Sequence, residues 1–212
     1  MSENAIYTIE YSSPTQENKV QPIAFREVWR YAGYKGVPSQ EESELTKLLE
    51  QVIKEMEPHL IYRVCYRRME LSWQDGIPAL PFEAQSQDLA KCLQGCNEII
   101  LFAATIGLEL DRRIAREQYL FPTKALLLQA LGAERIEALC DTFCLDIKQN
   151  ANEKGLQITP RFSPGYGDLP LEVQKDFFRL LDCNRKIGVT LNQSLLMTPS
   201  KSVTAIFGLY QK

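Results

Sequence analysis

Residues Glu98 to Thr105 read EIILFAAT, an apolar run without alternation. A strand with one wet face alternates apolar and polar side chains, because successive residues point to opposite faces. An unbroken run of this length is therefore expected to be a strand buried on both faces. Such a strand needs a cover on each side, and the rest of the chain supplies helical segments to provide it. Phe25 to Tyr34 places Phe25, Val28 and Trp29 on one helical face and ends at Gly33 and Gly36. A second helix opens at Ser39 with Glu41 and Glu42. It buries Leu45, Leu48, Leu49, Val52, Ile53 and Met56, and stops near Glu57 at Pro58. Further helices are expected over Ser86–Leu93, Glu109–Gln118 and Leu171–Leu181. The longest runs from Thr123 to about Ala151 and ends near Gly155.

Strands are expected over Ile61–Trp73 and Val203–Leu209. Ile77–Phe82 can be only an edge strand because of Pro78 and Pro81, and Val189–Met197 reads as short strands or a hairpin. The fold class is α+β, a mostly antiparallel sheet flanked by helices. Residues 1–20 read as a flexible or edge segment, and residues 21–212 as one domain.

Charge and composition remove several functions. Twenty-four Lys and Arg stand against 27 Asp and Glu, a net charge of −3, which is no electrostatic footprint for nucleic acid. The most apolar stretch, Ile99 to Leu108, is far below the roughly 18 residues of a spanning helix. The opening Met1-Ser2-Glu3-Asn4 is not a secretory signal, so a cytoplasmic location is expected, with the six cysteines as thiols. His59 is the single histidine, which removes zinc sites built on histidine pairs. It follows Pro58 at a helix end, where it would complement the helix dipole.

Cys92/Cys96 and Cys140/Cys144 are each four apart. That spacing places two thiols on one helical face, so a four-thiolate metal site competes with packing as small buried hydrophobes. Packing is the reading adopted. Arg67-Arg68 and Arg112-Arg113 could meet phosphate, but isolated doublets in an acidic chain read as ion pairs or solvated faces. The Ala104–Gly107 turn joins a strand to a helix start, where backbone N–H groups can meet an anion. Without further glycines it is read as plain strand-to-helix geometry.

The stretch Arg161-Phe162-Ser163-Pro164-Gly165-Tyr166-Gly167-Asp168 carries more specific chemistry. Pro164-Gly165 favours a turn with positive φ at Gly165, where a ligand can approach bare backbone. Arg161 offers a fork matched to a carboxylate, and Tyr166 an aromatic face and a hydroxyl. Together they suit an amino-acid-like ligand with a positive centre. The competing reading is a rigid turn packed under the final helix.

RFSPGYGDLPL, the Leu180-Leu181 helix end, Gly188, and Pro199, Ser202 and Val203 follow one another in the order of a known family. The chain resembles the activation domain of cobalamin-dependent methionine synthase, over the last sixty residues most closely. The first hundred residues look closer to small stand-alone relatives of that domain. The resemblance implies S-adenosylmethionine binding, with Arg161 on the donor's carboxylate, backbone around Ser163 and Gly165 on the adenosine part, and Tyr166 lining the pocket. A family glutamate upstream of the arginine corresponds to Glu153, though its spacing is two residues longer here. A family acid on the long helix corresponds to Glu137 or Asp141.

The implied function is a stand-alone reactivation module in methionine biosynthesis. It would be an accessory component rather than a complete methyltransferase. Cobalamin would sit on a partner, a corrinoid-binding methionine synthase or related methyltransferase. The electron would come from a flavodoxin or a ferredoxin-like donor. The chain stops at Lys212, so the family's later tyrosine-bearing strand has no counterpart and donor affinity is expected to be reduced. The alternative is a partner-docking protein of the same fold that no longer binds S-adenosylmethionine.

Overall fold

The structure is a computed structural model, and it describes residues 5–12, 19–35 and 43–211. Its centre is a five-stranded sheet, antiparallel at every pairing. The strands are β1 (Tyr7–Tyr11), β2 (Tyr62–Glu70), β5 (Glu98–Thr105), β9 (Ser202–Gln211) and β6 (Leu156–Ile158), adjacent in the order β1-β2-β5-β9-β6. EIILFAAT is the middle strand β5, buried on both faces as its unbroken run demands. Ile100, Phe102 and Ala104 enter one core, while Ile99, Leu101 and Ala103 enter the other.

The first core lies under α1 (Phe25–Tyr31), α2 (Ser43–Met56), α4 (Glu109–Leu120) and α5 (Pro122–Asn152). Phe143 of α5 seats that long helix on the sheet, its ring 5.0 Å from Phe102, 5.2 Å from Tyr66 and 6.3 Å from Phe207. The second core lies under α3 (Gln87–Cys92), α6 (Gln174–Leu181) and α7 (Cys183–Ile187). Gly208 of β9 faces it, and a Cβ there would stand 2.3 Å from Cys96 Sγ and 3.0 Å from Leu93. Bare backbone at this strand position admits the cysteine and the leucine.

Several elements differ from the sequence reading. β6 falls where no strand is expected; three residues carry too little pattern, and pairing with β9 makes the strand. The region Ile77–Phe82 forms strand only at β4 (Ile77–Pro78), in a hairpin with β3 (Trp73–Gln74). Val189–Met197 resolves into the hairpin β7 (Thr190–Leu191) and β8 (Met197–Thr198). The first helix ends at Tyr31, where Tyr34 N–H bonds back to Trp29 O. Its stop at Gly36, and the start of α2 at Ser39 with Glu41 and Glu42, lie outside the described residues. In the N-terminal segment, Tyr7–Tyr11 forms β1 at one edge of the sheet. Among the described residues no helix is long and apolar enough to cross a membrane.

Candidate functional site

Helix α5 carries Glu134, Glu137, Ala138 and Asp141 at the i, i+3, i+4, i+7 spacing of one helical face. Opposite that face lie α1 and the segment leading into it. The segment is held by a buried ion pair between neighbours. Arg135 and Glu134 are 0 % and 5 % exposed, with Nε–Oε2 2.5 Å and Nη2–Oε1 2.6 Å. Arg135 Nη1 donates to Gln21 O (2.8 Å), Ala24 N–H donates to Glu134 Oε1 (3.0 Å), and Gln21 N–H donates to Thr142 Oγ1 (3.2 Å). The result is a cavity of about 330 Å³ walled by Gln21, Ala24, Glu27, Tyr31 and the α5 acids.

Arg161 reaches the same acids from the sheet edge. Thr159 N–H bonds Gly208 O (3.0 Å), and Phe162 exchanges two 2.8 Å backbone bonds with Ile206, so the chain stays on β9 past β6. Arg161 lies between these anchors. Its Nη2 donates to Glu137 Oε2 (2.9 Å) and Asp141 Oδ1 (2.8 Å), and neither carboxylate engages Nε or Nη1. The helix thus presents both Glu137 and Asp141 to one guanidinium.

The next residues turn the other way. Phe162 is buried in the second core, and Tyr166 packs edge-on against its ring at 5.3 Å while remaining 68 % exposed. Tyr166 N–H donates to Ser163 O (3.0 Å), and Gly165 has φ +86°. This is the turn that Pro164-Gly165 encodes. The head of Arg161 and the Ser163–Tyr166 turn therefore belong to opposite layers at one sheet edge. Glu153 is not brought to Arg161. It caps the C-terminal end of α5, about 18 Å along the helix from Asp141. There it lines a separate cavity of about 190 Å³ with Tyr66, Arg68 and Lys154.

Sequence reasoning did not single out Glu27, Tyr31 and Glu134; for Glu134 alone a signal was available, its spacing from Glu137 and Asp141 on α5. The other arginine doublets form ion pairs: Arg68 with Glu98, Arg112 with Glu109, Arg113 with Glu55 and Glu117. His59 is exposed in the short turn that closes α2. At the Ala104–Gly107 turn, Ile106 N–H bonds Lys201 O and Gly107 N–H bonds Thr105 Oγ1, so those donors are committed within the chain.

The cysteine pairs do not converge. Cys92 ends α3 and Cys96 lies beyond it, so they do not share a helix, and Cys96 and Cys140 occupy opposite cores. Among the described residues no group of three or more His, Cys, Asp or Glu is placed to hold a metal ion. Burial pushes the Cys96 and Cys144 thiols up to about 11, and raises Cys140 as well. Raised by burial, these thiols suit packing as small apolar groups. A Cys140→Ala, Cys144→Ala double variant is expected to lose about 1–3 kcal/mol of stability. Metal analysis of the purified parent checks the packing reading, which stoichiometric zinc or iron, lost in the variant, would overturn.

The fold has a counterpart among solved structures. It is similar to the crystal structure of the MetH reactivation domain bound to AdoHcy, with a TM-score of 0.70 over 98 % of this chain and 79 % of that one, at 16 % identity. Residues 87–211, more than half of the chain, match the family model for the vitamin B12 dependent methionine synthase, activation domain. The chain belongs to that family. No curated protein matches it.

Proposed function

We propose that this chain is a stand-alone reactivation module. It binds S-adenosylmethionine and supports reductive methylation, in trans, of an inactive cob(II)alamin methionine synthase or a related corrinoid methyltransferase. The observation that carries this reading is the charge pattern around Arg161. One guanidinium, its Nε and Nη1 unbonded among the described residues, meets Glu137 and Asp141, which line an open cavity rich in carboxylates. S-adenosylmethionine presents a carboxylate, an ammonium and a sulfonium, so one fork and several acids suit its charges.

In this reading Arg161 takes the donor's carboxylate, Glu137 and Asp141 face its positive groups, and the donor extends round the sheet edge to the Ser163–Tyr166 turn, whose backbone and aromatic ring lie on the other layer. Glu153, at the far end of α5, is left out of the set. The corrinoid, held by the partner, carries the methyl-transfer chemistry, and a flavodoxin- or ferredoxin-like protein supplies the electron. The work of this chain is to bind and orient the donor.

Glu137 and Asp141 are 45 % and 54 % exposed and Tyr166 more so, which leaves the free site open on one side. Weak donor binding by the isolated chain is therefore expected. Tighter binding is expected once a corrinoid partner covers the opening, and the coupling must be reciprocal. Calorimetric titration with S-adenosylmethionine, with and without a cob(II)alamin-loaded methionine synthase, checks this. Tight partner binding that ignores S-adenosylmethionine would favour a docking protein that has lost the donor.

A further inference from the structure

Asp168 ends the RFSPGYGD stretch, and its carboxylate faces the start of α3 rather than a ligand. Asp168 Oδ1 accepts from the Ser86 hydroxyl. Oδ2 accepts from Gln87 N–H at 2.7 Å, and the two oxygens lie 3.3 and 3.4 Å from Asp88 N. Ser86 Oγ meanwhile accepts from Leu89 N–H at 3.0 Å, the ordinary capping bond of this helix. The helix thus has its own cap, and Asp168 adds a second from more than eighty residues away.

At the other end of the loop, Phe162 is bridged to Ile206 of β9. Within it, Gly165 N–H bonds Leu169 O (2.9 Å) and Leu169 N–H bonds Tyr166 O (3.1 Å). The backbone at Gly167 runs so close to α3 that a Cβ there would stand 2.8 Å from Asp88 Oδ2. Asp168 itself is exposed, and water could serve the α3 amides in its absence. Its bonds therefore matter less for keeping α3 folded than for fixing where the loop sits.

We propose that Asp168 is a positioning residue: with Ser86 it clasps the loop to α3 and so holds the Gly165 turn and Tyr166 where a ligand meets them. The part concerning the ligand rests on the reading that this site binds S-adenosylmethionine; the clasp does not.

The test uses the full chain with Asp168→Ala and Asp168→Asn. Amide hydrogen exchange at Gln87, Asp88 and Leu169 reports the clasp, thermal melting reports the fold, and calorimetry reports S-adenosylmethionine affinity. The alanine variant is expected to exchange about tenfold faster at Gln87 and Asp88 and to bind the donor about tenfold more weakly, at nearly unchanged melting temperature. Asparagine accepts at helix starts as well as aspartate does, and should restore most of both. Unchanged exchange at Gln87 and Asp88 in the alanine variant would overturn the clasp. Parent-like donor affinity in a variant whose clasp is open would overturn the positioning role. A parent that binds no S-adenosylmethionine would remove the ligand reading while the exchange data still decide the clasp.

Discussion

Replacing Arg135 by methionine is expected to cost about 3–5 kcal/mol of folding stability, the range for removing one partner of a buried ion pair. The Arg135 side chain is fully buried and gives two bonds to Glu134 and one to Gln21 O. Methionine fills similar space, but among the described residues it leaves the Glu134 carboxylate with the Ala24 N–H alone. Urea denaturation measures the loss. The double variant Arg135→Met, Glu134→Gln removes the stranded charge while keeping an acceptor for Ala24, so it should recover much of the deficit. A single variant within about 0.5 kcal/mol of the parent, the usual range of an inert surface change, would contradict the assignment. The substitution also reaches the cavity, because the segment Gln21–Ala24 is one of its walls. Donor binding should weaken even under conditions where the variant is still folded.

Arg161→Ala is expected to weaken S-adenosylmethionine binding by about 1.5–3 kcal/mol, the range for a hydrogen bond to a charged group. That is roughly a ten- to hundredfold loss in affinity. Its effect on stability should be far smaller. The partners Glu137 and Asp141 are about half exposed and can return to water, and such pairs contribute about 0–1 kcal/mol. Arg161→Lys should recover only part of the affinity, since an ammonium must serve the two helix acids and the ligand without a planar fork. Calorimetry on the three proteins checks the order. Equal affinity in parent and alanine variant would remove Arg161 from the site.

Which parts of the molecule could be read from sequence follows from how local their causes are. The doubly buried strand at Glu98–Thr105 was legible because both faces meet a core, and every residue of the strand records that fact. The Gly165 turn was legible because Pro-Gly encodes its own dihedrals. The pairing of Arg161 with both Glu137 and Asp141 follows from helical spacing once the arginine is known to face α5, but which way Arg161 faces is decided by the Phe162–Ile206 bridge. β6 was illegible because β9 makes it a strand, not Leu156 or Ile158. Neither Glu134 nor Arg135 carries a local mark of burial in the sequence. The return of residues 20–24 across α5 helps to bury them, and those partners lie more than a hundred residues away in sequence. Asp168 closes the Arg161–Asp168 stretch, but its role is not local, because its partners lie at Ser86, Gln87 and Asp88.

The central claim is that this chain brings a methyl donor to a corrinoid on another protein. Mixing it with an inactive cob(II)alamin methionine synthase, S-adenosylmethionine and a one-electron reductant, and following the recovery of methylcobalamin absorbance, tests that claim most directly. Recovery should require this chain, require S-adenosylmethionine, and fall sharply with Arg161→Ala. Recovery that proceeds equally without the chain, or no recovery with a partner shown to bind it, would contradict the account.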